Sequence, residues 1–525
     1  MFPSTSQIDT LQSTIGTNLI VFAPELFVCA GIIALLLARL IPLFDRSHLG
    51  GVAIVILAAA LCALIDQVVH IERGASFYPG PYFDGMLASD AFAAYVRCLV
   101  LAAALLAAIL TQLTGIPDAA DSGDFHTLLL GGALGMLLMA SANHLLMLFI
   151  GVEMASLPSY ALAGFLKGKR TGSEASLKYV VYGAGASGVM LYGITLLSGT
   201  FGSAYLPDIA VAMSRRPLDL VVLSGFVLLF VGLGFKLAAV PFHFWCPDVF
   251  EGAPAEVAGF LSVASKAAAI ALTTRVLMTV QDAFRLHSPL AWAIPETLGM
   301  GLGVIAAVTI TFGNLAAFGQ TNLKRLLAYS TIAHAGYMLL AVATVTAVGV
   351  ASVLYYLAAY LLMNLGAFAV VAFVRNATRS EELAAYRGLV QRSPLAAVAM
   401  TVFLLALLGL PPLAGFAGKF QVFEALYEAA RNASVTGHRP LGVGYSILLG
   451  VGAVNTAMSA YYYLKVIRVM VLESPEPTDS PSINLGPFAS LYLVVLTAGV
   501  FAVGIVWNPL TSAAVRAART FGVVQ

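Results

Sequence analysis

Residues 231–256 read VGLGFKLAAVPFHFWCPDVFEGAPAE, and this stretch decides the fold. Lys236 sits in an apolar run between Gly232-Leu233-Gly234 and Pro241. A proline removes a backbone donor, and nearby glycines let a helix unwind. Unpaired backbone at membrane depth is tolerated only where it lines a cavity or is buried in protein. The stretch therefore reads as a membrane helix broken beside a lysine, with a small wet site at the break. LLGLPPLAGFAGKF at 407–420 repeats the pattern, with Lys419 following Gly409, Pro411, Pro412, Gly415 and Gly418.

The rest of the chain has the composition such a reading requires. Of 525 residues 60% are hydrophobic and 10% charged, against roughly 25% charged in soluble domains. Lys+Arg number 27 and Asp+Glu 26, a net charge of +1, which excludes the basic surface of a nucleic-acid-binding protein. A soluble enzyme would need more polar surface, and a single anchor would not repeat its apolar character from about residue 19 to about residue 508. At about 20 apolar residues per bilayer crossing, about 14 candidate spans emerge. They start near Leu19, Gly50, Ala88, His126, Asn143, Glu174, Leu220, Pro254, Trp292, Leu326, Val348, Pro394, Val443 and Pro487. The expected fold is all-α, a polytopic membrane protein with about 14 transmembrane helices and no soluble domain. The N-terminal MFPSTSQIDTLQSTIGTN lacks a basic segment, which argues against a cleaved signal peptide.

Lys236 falls in the seventh span and Lys419 in the twelfth. With spans four to eight and nine to thirteen as units, each break falls in the fourth helix of its unit. Five is odd, so successive units enter the membrane from opposite sides, the inverted-repeat arrangement of many transporters. The expected division is 1–125 for the first three helices, 126–280 and 281–470 for two five-helix repeats, and 471–525 for the last helix and tail. Basic residues favour an external N-terminus. Thirteen fall in loops then internal, including Arg46, Lys167, Lys169, Arg170, Lys324 and Arg375, against nine then external, including Arg73, Arg216 and Arg275.

Five bases remain inside apolar runs: Arg97, Lys178, Lys236, Lys266 and Lys419. Arg97 and Lys178 lie near helix ends, where a long side chain can snorkel to the interface. Glu174 is also placed to pair with Lys178 at i,i+4. Lys266 has no such escape, since its helix runs from about Pro254 past Leu277 and places it midway. Glu153, ten residues into its own helix, is similar. An acid and a base at mid-bilayer depth point to function, because water must reach them or partners must neutralise them. A structural ion pair is the competing reading.

Other chemistries lack their residues. Cys29, Cys62, Cys98 and Cys246 are dispersed, without the clusters that hold zinc or iron–sulfur centres, and read as packing residues. The eight histidines lack the pairs of a haem protein. Gly183, Gly185 and Gly188 spell a dinucleotide pattern inside an apolar helix with no preceding strand, which reads as a packing face of small residues.

The stretch GFKLAAVPFHFWCPDVFEGAPAEVAGFLSVASKAA (234–268) resembles the signature of antiporter-like subunits of the proton-pumping NADH:quinone oxidoreductase, respiratory complex I. LLMLFIGVEMASLPSYAL around Glu153, NLKRLLAYSTIAHAGYM (322–338) and the 407–420 stretch carry the same resemblance, which covers spans four to thirteen. The wider family includes subunits of multi-subunit sodium/proton antiporters and membrane-bound hydrogenases. Lysine at Lys419, the Ser-Leu-Pro-Ser-Tyr run after Glu153, and a chain ending soon after Pro509 without a long lateral helix resemble its smallest antiporter-like subunits.

The resemblance implies a proton relay. Glu153 and Lys236 would form the coupled pair of one half-channel with Lys178 nearby, Lys266 the central relay, and Lys419 the link to the other side. His243 and His334 would bridge water chains, or serve as structural histidines. FMN, iron–sulfur clusters, NADH and quinone would reside on other subunits, with no cofactor or metal on this chain and no quinone site. Implied partners are other membrane-arm subunits, another antiporter-like subunit and small helical subunits among them, in a bacterial plasma membrane. Two alternatives stay open: an ion-translocating subunit of a sodium/proton antiporter or membrane-bound hydrogenase, and a spacer that conducts nothing.

Overall fold

A computed structural model describes residues 14–41, 48–72, 80–166, 168–215, 219–287, 293–474 and 482–521. Arg46, Arg73, Lys167 and Arg216, used to judge orientation, and the span start at Trp292 lie outside the described residues.

The described residues open with a bent pair, α1 (Thr14–Val21) and α2 (Ala23–Arg39), meeting at 74°. Then come α3 (Gly50–Glu72), a short hairpin of β1 (Gly80–Tyr82) and β2 (Leu87–Ser89), α4 (Ala91–Thr114), α5 (Ser122–Ser141) and α6 (Leu145–Ala163). The long α7 (Arg170–Phe201) leads through the short α8 (Leu206–Ser214) to the first broken helix, α9 (Leu220–Leu237) and α10 (Trp245–Gly252). The next span joins α11 (Ala255–Phe260) through a π-helical turn at Leu261–Ser265 to α12 (Lys266–His287). Next are α13 (Ala293–Ala317), α14 (Leu323–Val342), α15 (Ala347–Thr378) and the single turn α16 (Leu389–Arg392). The second broken helix is α17 (Pro394–Leu408) and α18 (Ala414–Val435), followed by α19 (Arg439–Val471), α20 (Pro487–Ile505) and α21 (Asn508–Ala518).

Every one of the fourteen expected spans has a helix at or near its start. Among the described residues, 11 helices are long and apolar enough to cross a membrane, or 12 with the bent pair. Ser330, Thr331 and His334 lower the hydropathy of α14, and α17 stops at Gly409. The hairpin is the departure from an all-α reading; β1 and β2 pair antiparallel from Gly80↔Ser89 to Tyr82↔Leu87.

Local chemistry sets the helix ends. Asp90 accepts from Ala93 N at 2.7 Å and Asp219 from Val222 N at 2.8 Å, each satisfying an amide that the first helical turn leaves open. Helix pairs close on small residues: a Cβ on Gly193 of α7 would meet Leu229 N of α9 at 2.6 Å. Without a hydrophobic force between helices in lipid, such close approach is a main source of packing energy. The span Ala255–His287 is buried throughout its most apolar stretch and α15 nearly so, while α3, α19 and α20 turn Val55, Val454 and Val495 outward. Lys266 sits on one of these inner helices, and the helices of Lys236 and Lys419 pack against them.

Three positional expectations change. Arg97 does not snorkel: it is buried and paired with Glu25 of α2 at 2.5 Å. Arg275, counted among the external positions near its helix end, is buried in α12 and holds Asp90 through both guanidinium ends at 2.7 and 3.1 Å. Lys324 and Arg375, expected in internal loops, are buried near helix ends, bonded to Glu381 at 2.9 Å and Glu256 at 3.2 Å. In each case an acid from a distant part of the chain neutralises the base, which no local pattern reveals. The glycine pattern in α7 is only partly a packing face: Gly183 abuts Tyr160, while Gly185 and Gly188 face open space.

Candidate functional site

The first break runs from Ala238 to Phe244, where Ala238 adopts φ +56° and the Val240–Pro241 bond is cis. Lys236 occupies the last turn of α9, where the helix's free carbonyl groups favour a cation. It is 0% exposed, and its Nζ donates to Ser156 Oγ at 2.9 Å. Ser156 in turn donates to Val152 O at 2.5 Å. Ser156 lies three residues after Glu153 on α6, on the same helical face. Glu153, half-buried, accepts a hydrogen bond from Ser187 of α7. Among the described residues no ion pair joins Glu153 to Lys236; Ser156 stands next in line between them.

Lys266 follows the π-helical turn, a deformation that often marks functional sites. It is 1% exposed, with its ammonium 5.2 Å from the ring centre of Trp245 in α10. Trp245 is fixed by stacking on Tyr179 at 4.3 Å and by donating from its indole to Phe235 O at 2.9 Å. The aromatic face attracts the cation without supplying a counter-charge.

The second break runs from Gly409 to Leu413, with Gly409 at φ +92° and a cis Pro411–Pro412 bond. Lys419, on the second turn of α18, reaches back across the break and donates to Leu408 O at 3.0 Å. Its ammonium also lies 4.6 Å from the Tyr337 ring centre, and the residue is 4% exposed.

His334 is fully engaged: Nδ1 bonds Tyr356 at 2.7 Å and Nε2 bonds Tyr463 at 3.0 Å. Tyr463 continues to Ser330 at 2.5 Å, so this network ties α14 to α15 and α19 beside Lys419. Among the described residues no hydrogen bond or ring contact joins His243 to the lysines. Its ring packs on Phe244 and Phe312, each 4.4 Å away, and its Nδ1 has no protein partner. Lys178 belongs to a different cluster, bonding Glu174 at 2.7 Å, as its i,i+4 spacing suggested, and Asp248 at 2.6 Å. Arg325 joins this cluster through Asp248 at 2.6 Å and Glu251 at 2.7 Å.

Sequence reasoning passed over Ser156, Ser187, Asp248 and the aromatic partners Trp245, Tyr337, Tyr356 and Tyr463. Only Ser156 left a signal, its position one turn after Glu153. Trp245 and Asp248 lie within the 231–256 stretch, but their contacts with Lys266 and Lys178, like those of the others, follow only from how the helices pack. No group of three or more potential metal ligands occurs among the described residues.

The fold and site define a polytopic membrane subunit built on two broken helices, with buried lysines at and between the breaks. Residues 142–437 match the model of the NADH:quinone oxidoreductase/Mrp antiporter transmembrane family. The chain belongs to this family, in the group named NADH-quinone oxidoreductase subunit N. The subunit N of Anaeromyxobacter sp. is 42% identical over 516 residues, covering 93% of this chain and 94% of that relative. A chain from respiratory complex I of Thermus thermophilus with bound aureothin has 33% identity and a TM-score of 0.74, covering 94% of this chain and 99% of its own length. A chain from the Mrp complex of a Dietzia species shares the fold at 21% identity and a TM-score of 0.79, covering 95% and 97%.

Proposed function

We propose that this chain is a proton-translocating membrane-arm subunit of an NADH:quinone oxidoreductase, coupled to quinone reduction on other subunits. The observation that carries the reading is that Lys236, Lys266 and Lys419 are all buried, yet none makes an ion pair among the described residues. Arg97, Arg275, Lys324 and Arg375 in the same molecule each have an acidic partner. Burial favours the neutral amine and nearby carbonyls or aromatic faces favour the ammonium, so a small local change moves the proton.

Glu153 is the switch. Shifting it between Ser187 and the Ser156–Lys236 side changes the field at Lys236, which passes its proton through waters to Lys266 and on to Lys419. His334 and its tyrosines extend the polar path beside Lys419. His243 serves as a hydrated side branch, and Lys178 tunes the entrance through Asp248. Residues 126–280 and 281–470 each carry one half-channel as inverted five-helix units, flanked by 1–125 and 471–525. The chain binds no redox cofactor; FMN, iron–sulfur clusters, NADH and quinone belong to its partners. It resides in a bacterial plasma membrane beside another antiporter-like subunit and small helical subunits, with both termini on the outer side.

Copurification tests the assignment. An FMN-containing assembly with NADH dehydrogenase activity is expected. The fold shared with the Dietzia Mrp chain favours a second reading, a subunit of a sodium/proton antiporter or hydrogenase. An assembly that lacks NADH dehydrogenase activity but exchanges sodium for protons would select it.

A further inference from the structure

Glu256, the second residue of α11, is a buried acid that this relay does not use. It is 1% exposed. Its Oε1 accepts from Arg375 at 3.2 Å, and its Oε2 has no hydrogen-bond partner. Lys324, which donates to Ala253 O at 2.7 Å and pairs with Glu381 at 2.9 Å, is a further charged group here, and the Arg325–Asp248–Glu251 cluster begins at the next residue of α14. The carboxyl is therefore neutralised on one side and open on the other.

From Glu256 the span leads to Lys266. Ten residues at 1.5 Å per residue make about 15 Å. Along the seam with α15, Asn364 donates to Ser262 Oγ at 2.5 Å, while Asn364 Oδ1 has no partner. Ser265 Oγ, next to Lys266, has none either. Glu256 Oε2, Asn364 Oδ1 and Ser265 Oγ thus form a series of buried polar atoms without protein partners. Such atoms are normally satisfied by water. Close packing keeps the seam narrow, since a Cβ on Gly259 would meet Phe368 Cβ at 3.1 Å.

We propose that Glu256 is the proton-accepting group of an inlet that feeds Lys266 along the seam between α11 and α15. The proposal rests on the relay reading above. A proton from water at the α11 end of the span adds to Glu256 Oε2. It then passes along water held by Asn364 Oδ1 and through the Ser265 hydroxyl to the neutral amine of Lys266, leaving an ammonium there. The carboxylate is restored beside Arg375, which keeps its charge throughout, and no electron moves.

The test compares E256Q, E256D and K266M in the assembled complex, with NADH oxidation and proton pumping followed in the same vesicles. E256Q keeps a hydrogen-bond acceptor for Arg375 but cannot carry the proton, so pumping is expected to fall at least severalfold. E256D should retain most of the rate, and NADH-driven infrared difference spectra should lose a carboxyl band in E256Q. Wild-type pumping by E256Q alongside a pumping-defective K266M would overturn the inlet alone. Wild-type pumping by K266M would overturn the relay itself. Failure of E256Q to assemble would also count against the inlet and mark Glu256 as structural.

Discussion

The two breaks put a lysine at the carbonyl end of a helix by opposite means. Lys236 rides on the last turn of α9, ahead of its break, whereas Lys419 starts on α18 and reaches back to Leu408 O at the end of α17. Both ammonium groups thus meet the negative end of a half-helix, where a cation is favoured. Their remaining surroundings differ. Lys236 bonds Ser156, one turn from Glu153, while Lys419 faces the Tyr337 ring beside the His334 network. One lysine is placed to respond to an acid. The other is held by a backbone carbonyl and an aromatic face, so in the proposed relay the first break takes the input and the second the onward passage.

Substitutions can break this comparison. K236M is expected to reduce NADH-driven proton pumping by about 100-fold, the lower range for losing a positioned proton-transfer group. Dye-reported acidification of inverted vesicles, at matched amounts of assembled complex, checks it. K419M should lose about tenfold in the same assay, because the hydroxyl and imidazole groups beside it offer a poorer bypass; general acid–base groups set the scale. Equal losses at both positions would remove the distinction between input and passage.

Smaller changes sharpen it. S156A deletes a hydrogen bond of about 1 kcal/mol and should slow pumping about fivefold. S156T, which retains the hydroxyl, should recover most of that rate. Backbone substitutions should separate the breaks by stability. G409A forces a Cβ into the left-handed region and within 3.0 Å of Lys419 Cδ, and is expected to destabilise by about 1–2 kcal/mol. A238G relieves a left-handed alanine but adds chain entropy, so its effect should stay under about 1 kcal/mol. Thermal unfolding of the purified complex in detergent distinguishes the two.

Both breaks were legible because glycine and proline clustered beside a lysine in an apolar run are hard to fit into an unbroken membrane helix. Lys266 and Glu153 were legible by depth alone. The acidic partners of Arg97 and Arg275 were not, because Glu25 and Asp90 lie 72 and 185 residues away in sequence and meet their arginines only after the helices pack. Ser156 could be placed on the face of Glu153 by helical spacing, but its bond to Lys236 depends on how α6 meets α9. The β1–β2 hairpin is too short for an alternating pattern to register.

The central claim is that the buried lysines carry protons, and Lys266, lying between the two breaks in sequence, tests it most directly. K266M should be placed in the intact complex, reconstituted into proteoliposomes, and followed for NADH oxidation and lumenal pH together. The account predicts assembled complex whose proton pumping is lost. Pumping at the wild-type rate and ratio to NADH oxidation would contradict it.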